Sequence, residues 1–264
     1  MTANNALNNT LQTPFNVGAN SVTSTGTQLN LLNACTLVPI NKVNTQTITA
    51  TGAFSYSPTS GTKYAIFELQ GGGGGGGGAG GSGATGSVAN GGSGGSYLKL
   101  LVAGATNLAA ISGSVGAAGA AGTNAPGNGG AGGNTTLTIN SGTQWVAAGG
   151  SGGALATASA SNTFSTSTAA NANTVGTNGT LIINTLGGSS GISANGTAGA
   201  QVYSIGSYGG ASFLSPSAPG ILNATGVAGI SYGGGGSGPS TAAANNAGGA
   251  GFQGIVIVTE FISA

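Results

Sequence analysis

The chain has 264 residues, of which 57 are glycine, and its charged side chains are Lys42, Lys63, Lys99, Glu68 and Glu260, with no histidine. Without histidine there is no His-based triad, imidazole base or His metal ligand, and a lone Cys35 allows neither an internal disulfide framework nor a thiolate zinc site. Three lysines without arginine leave no nucleic-acid footprint, so the expectation is a non-enzyme with no cofactor and no nucleic-acid partner.

Glycine is about three times its usual share of about 7 %. Disordered chains normally avoid collapse through charge, which is nearly absent here, and the mean hydropathy is positive at +0.24. An ordered chain kept soluble by Asn, Ser and Thr is expected. MTANNALNNTLQTPF lacks a basic and an apolar signal region, and no apolar run reaches the ~18–20 residues of a membrane helix. Neither Sec export nor membrane insertion is expected, which fits a virion component released by lysis.

Residues 1–45 read as an N-terminal assembly arm. They are polar, poor in glycine and punctuated by Pro14 and Pro39. LNLLNACTLVPI supplies the assembly candidates Leu29, Leu31, Leu32, Val38 and Ile40, with Cys35 as a small apolar residue among them. From residue 46 the pattern is β. TITATGAFSYS (47–57) alternates β-branched and aromatic residues, and SPTSGT supplies turn chemistry. KYAIFELQ (63–70) puts Ala65, Phe67 and Leu69 on one face and Tyr64, Ile66 and Glu68 on the other. YLKLLVAG, TTLTIN, TQWVAAGG, TLIINTL and AQVYSIG follow, and GIVIVTEFI (254–262) reads as a central, doubly covered strand. Helix content should be low.

Glycine tracts lie between these strands. The longest is Gly71, Gly72, Gly73, Gly74, Gly75, Gly76, Gly77 and Gly78, directly after a strand. No G-K-[ST] follows, so it is not a nucleotide loop. Glycine is costly to order, but a chain without Cβ can run extended, like polyproline II, close against other backbones. Ordered, packed tracts are therefore expected.

Glu68 and Glu260 fall in the first and last strands of this domain, where each reads as solvated or paired with Lys63 or Lys99. Trp145, Tyr208, Phe213 and Tyr232 are the receptor-binding candidates, since aromatics amid Ser, Asn and Gly suit recognition of sugars or outer-membrane protein loops. Core packing is the preferred reading for Trp145 and for Tyr203, both in strands. Tyr208 and Tyr232 are the more loop-like. Asn-x-Thr sequons occur at Asn8, Asn134, Asn178, Asn195 and Asn223, as chance allows in an Asn/Thr-rich chain.

FSYSPTSGTKYAIFELQGGGGGGGG (54–78), GGSGGSYLKLL (91–101) and AGGAGFQGIVIVTEFI (247–262) together resemble the glycine-rich distal domain of bacteriophage tail-fibre proteins and related adhesins. The resemblance covers residues 46–264. It implies an all-β, jelly-roll-like antiparallel β-sandwich whose glycine-rich loops stack as polyglycine-II-like helices. It also implies a homo-oligomer, a trimer or a helical polymer. Its loops would contact a host cell-surface glycan or outer-membrane protein, and its place would be the virion tail fibre or an extracellular appendage. Only the 45-residue arm precedes the domain here, where tail fibres carry a long shaft. A second reading follows, a self-assembling extracellular filament in which the arm docks on the neighbouring subunit.

Overall fold

The alternation along residues 42–262 resolves into four antiparallel sheets, the two larger of which form a sandwich, in a computed structural model that describes residues 15–17, 20–22, 42–81, 85–159, 163–165, 167–198, 201–242 and 244–263. The chain divides into two units, Met1–Ile40 and Asn41–Ala264. In the first, β1 (Phe15–Val17) pairs with β2 (Asn20–Val22). The assembly candidates Leu29, Leu31, Leu32, Val38 and Ile40 lie outside the described residues, as do Cys35 and Asn8.

The second unit contains, in chain order, β3 (Lys42–Ile48), β4 (Gly52–Tyr56), β5 (Thr62–Gln70), β6 (Ser87–Val88), β7 (Tyr97–Ala103), the single-turn helix α1 (Ala105–Leu108) and β8 (Ile111–Val115). It continues with β9 (Thr135–Ile139), β10 (Trp145–Ala147), β11 (Thr163–Ser165), β12 (Thr180–Thr185), β13 (Ser193–Ala198), β14 (Gln201–Ile205), β15 (Ser240–Thr241) and β16 (Ile255–Ile262). A five-stranded sheet, β12-β7-β5-β16-β3, faces a four-stranded one, β10-β9-β8-β4. The core between them takes Phe67, Leu69, Leu98, Leu100, Val256 and Val258 from the larger sheet. From the smaller it takes Ile111, Leu137, Ile139 and Trp145. This is the all-β antiparallel sandwich expected from the sequence, and the Ala65–Phe67–Leu69 face is the buried one.

Two strand readings need correction. The segment read as one strand over 47–57 is two strands in different sheets. The chain turns at Gly52, whose φ of +99° is left-handed backbone that glycine adopts without steric cost. The last strand, β16, is interior to its sheet, between β5 and β3, but covered on one face only. Ile257, Thr259 and Phe261 stay half-buried on the other. The sequence reading also missed β8, because ISGSV is too short and polar to signal a strand. Gly113 is required there: a Cβ would come within 2.7 Å of the Phe54 ring, which fills that place in the core.

Strands of both sheets run on into a bundle of extended glycine-rich segments. Strand β5 passes at Gln70 into Gly71–Gly78, β8 into 116–122 and β10 into 148–156. Segments 90–96, 127–133 and 246–252 lead into β7, β9 and β16. Gly71–Gly78 is the axis of this bundle, and its hydrogen bonds repeat every three residues, the period of a polyproline-II-type helix. Gly71, Gly74 and Gly77 donate to Ser96, Ser93 and Asn90. Gly72, Gly75 and Gly78 donate to Gly133, Gly130 and Gly127, and Gly73 and Gly76 to Phe252 and Gly249, all at 2.8–3.0 Å. Their carbonyls accept from a second trio, 116–122, 150–156 and the segment around Gly236.

The six neighbours also bond to one another in a closed ring. Segment 90–96 joins 148–156, which joins 127–133, then 116–122, then 246–252, then 233–238, and so back to 90–96. Segments around Gly188, Gly210 and Val227 add an outer layer on one side. The expectation of ordered, packed glycine is met, and the reason is space rather than backbone freedom. None of Gly71–Gly78 has a positive φ, but a Cβ on any of them would run into a neighbouring carbonyl.

Candidate functional site

The aromatic candidates separate once placed on this frame. Trp145 is 1 % exposed in the sandwich core, and its Nε1–H donates to the Thr177 carbonyl at 2.9 Å, so it is removed as a receptor contact. The loops that carry Phe213 and Tyr232 meet at the waist, where sandwich becomes bundle. The Ser212 hydroxyl donates to the Tyr232 carbonyl at 2.7 Å, joining their two loops. Phe213, 53 % exposed, stacks on the buried Tyr97 ring with centroids 4.1 Å apart and planes 17° from parallel. Tyr232 is half-buried, edge-on to Phe252 at 5.4 Å. Tyr208 is 51 % exposed but sits apart on the flank, its backbone packed on Gly91 and Gly191. The side chain of Tyr203 is not among those described.

Under Phe213 the outer face of the larger sheet carries the ion pair of Lys99 and Glu68, Nζ to Oε1 3.2 Å, between residues directly opposite in the β5–β7 register. The Tyr97 hydroxyl donates to Glu68 Oε2 at 2.5 Å. Burial, then the hydrogen bond to Glu68 and its charge, pushes the Tyr97 phenol up from its usual value. Glu68 thus has the Lys99 partner expected of it. The waist carries a flat, half-open aromatic surface beside a carboxylate and an ammonium, groups that can respectively stack on and hydrogen-bond to a sugar.

Glu260 departs from expectation. It is fully buried on the inner face of β16 and is neither solvated nor paired with a lysine. Neutral donors enclose its carboxylate: Tyr56 hydroxyl at 2.5 Å, Thr59 N–H at 2.9 Å, Thr59 hydroxyl at 2.7 Å and Asn44 Nδ2 at 2.7 Å. Burial works to raise its pKa. The hydrogen bonds from Tyr56, Thr59 and Asn44 outweigh burial and hold it at about 2. Glu68 lies on the opposite face of the sheet and opposite Ile257, so the two carboxylates do not form a pair. Glu260 clasps the 57–62 turn to the last strand and has no access to a ligand. Sequence spacing carried no signal for this, because Asn44 meets Glu260 through the β3–β16 register, Tyr56 from the opposite sheet and Thr59 from the turn that follows β4.

The far end of the bundle forms a second exposed surface. There Ala79 bridges to both Ala156 and Asn246. The turn after Gly122 exposes Thr123, Asn124 and Ala125, and the loop before Asn246 exposes Ala244 and Asn245. The Gly81 N–H donates to Asn245 Oδ1 at 2.9 Å, tying the end of the axial segment to the loop before Asn246. This tip carries no charged side chain among the described residues.

A family model described as a glycine-rich domain matches residues 48–260, the stretch that forms the sandwich and its bundle. No curated protein matches the sequence. The match runs from the end of β3 to Glu260 and takes in every segment of the closed ring, so the chain belongs to the glycine-rich domain family.

Proposed function

We propose that this chain is a non-enzymatic adhesive subunit of a phage tail fibre, which uses its bundle as a rigid mount for a surface that binds a host glycan or outer-membrane protein. The observation that carries the reading is the pair of half-exposed aromatic rings, Phe213 and Tyr208, held on a backbone-packed scaffold whose own side chains are mostly absent. Aromatic anchors on a rigid frame give contact area at low entropic cost. With so little charge, long-range attraction contributes little, and binding should withstand salt.

Cell-binding assays with the full-length protein test this. Phe213→Ala and Tyr208→Ala should each lower adherence to a susceptible strain at least tenfold, Tyr208→Ala without moving the melting temperature and Phe213→Ala with a fall of only about 2–4 °C from the lost stacking on Tyr97, and wild-type binding should survive about 0.5 M salt. Adherence unchanged in both variants, or lost at moderate salt, refutes the reading.

One observation favours the filament alternative. The arm enters the domain through β3, an edge strand that pairs only with β16 among the described residues. Such an edge can accept a strand from another chain. Removing residues 1–40 should then abolish polymers seen by negative-stain microscopy and leave a folded domain.

A further inference from the structure

At the end of the sandwich remote from the bundle, the outer face of the smaller sheet opens into a concavity of about 370 Å³. Its direction is fixed by β8, which starts beside the concavity at Ile111 and leaves for the bundle after Val115. Ser55, Ser57, Ser112, Thr138 and Ser141 line it. Ser55 is in register with Ser112, and Ser112 with Thr138, so their hydroxyls stand in a row across three strands, roughly 4.8 Å apart. Ser57 and Ser141 close its ends.

Two features set this concavity apart. Ser55, Ser57, Ser112 and Ser141 are exposed and Thr138 is half-buried, and none of the five hydroxyls bonds to another described residue, so each is open to a ligand. The second feature is strain. Asn140 and Ser141, in the turn between β9 and β10, have φ of 43° and 57°, a left-handed pair in which the second place normally falls to glycine. A serine kept there costs free energy and places its hydroxyl at the rim, the kind of outlier that accompanies function.

We propose that this concavity binds a neutral polyhydroxylated ligand, a single sugar residue, through the hydroxyls of Ser55, Ser112, Thr138 and Ser141. No charged side chain lines it, which disfavours anions and cations, and hydroxyls that both donate and accept match the adjacent hydroxyls of a pyranose. The sugar is either free in solution or the end of a glycan. The site lies away from Phe213, Tyr208 and the bundle tip, so it stands or falls independently of the adhesive reading.

Amide-shift titration of isotope-labelled full-length protein tests it, with glucose, galactose and N-acetylglucosamine as free sugars, and maltotriose and chitotriose as glycan ends. The expected result is saturable shifts at 55–57, 110–112 and 138–141, with a dissociation constant of about a millimolar, since the aromatic in its lining, Tyr56, packs its ring on Phe67 in the core and offers no platform. Thr138→Val and Ser112→Ala should each weaken it at least fivefold at unchanged melting temperature. Ser141→Gly should weaken binding and raise the melting temperature. Saturation by the trisaccharides alone would identify the ligand as a glycan end, and saturation by the monosaccharides would identify free sugar. No saturable shift with any probe, or shifts that Thr138→Val leaves unchanged, overturns the proposal. So does a synthetic peptide of residues 1–20 that binds there when the sugars do not, which would assign the concavity to the arm of a second copy.

Discussion

Replacing Gly75 by alanine tests the account of the bundle most directly. A Cβ at this position would come to 2.6 Å from the Ala120 carbonyl carbon, and closer still to its oxygen. Carbon atoms in contact prefer about 3.5–4.0 Å, so segment 116–122 would have to retreat by about 1 Å. That retreat stretches the 2.8 Å bond from Gly130 N–H to the Ala120 carbonyl and disturbs the 2.9 Å bond from Gly75 N–H to Gly130. Each buried hydrogen bond lost costs about 1–3 kcal/mol, and overpacking costs about 1–3 kcal/mol. Alanine also restricts the unfolded chain, which offsets about 0.4–1 kcal/mol. The net destabilisation is about 2–6 kcal/mol, a large part of the ~5–15 kcal/mol typical of a domain. At ~2–4 °C per kcal/mol for a domain of this size, melting should fall by about 5–20 °C in calorimetry. The control is Ala121→Gly on the exposed side of segment 116–122, which should cost no more than about 1 kcal/mol. A Gly75→Ala protein melting within about 1 °C of wild type, or a control equally damaged, would refute the backbone-packing argument.

Three further outcomes follow from single contacts. The Glu260 carboxyl is held at about 2, below its ordinary value of 4.5, so it stabilises the fold above pH 4.5, and that contribution drains away as pH falls towards 2. Glu260→Gln should destabilise by about 2–4 kcal/mol at pH 7 in urea unfolding, with the two proteins converging near pH 2; parallel curves down to that pH contradict it. Thr135→Val should cost about 2–4 kcal/mol, because the buried Thr135 hydroxyl accepts from Gly116 N–H at 3.0 Å and donates to the Gln70 carbonyl at 2.7 Å, and valine satisfies neither. Lys99→Met should change stability by less than about 1 kcal/mol, since its bridge to Glu68 is partly solvated.

Residue pattern alone reached the strand faces. Ala65, Phe67 and Leu69 read as one side of a strand, and that side is the core, because side-chain alternation is a local property of extended backbone. It also placed Glu68 beside a lysine. It failed at Glu260, where a carboxylate that reads as a surface group lies sealed beneath a turn. It also failed to place the aromatics. Tyr208 and Tyr232 both look like loop residues next to glycine, yet Tyr232 packs on Phe252 at the waist while Tyr208 stands open on the flank. Hydroxyl residues such as Ser112 and Thr138 carried no signal at all, since only strand register lines them up.

The sequence by itself determined that this chain is all-β, nearly uncharged and built around ordered glycine. Those properties follow from composition and from spacing along one strand. Tertiary structure decided where the glycines stand. An isolated octaglycine gains nothing that offsets its ordering entropy. Inside a closed ring of six segments every one of its N–H groups finds a carbonyl, and the missing Cβ atoms leave the room for that ring. Five of the six segments are placed in the ring by the order of β7, β8, β9, β10 and β16 around β5 in two sheets, while the sixth, 233–238, precedes β15, and that order is set by contacts between residues far apart in the chain.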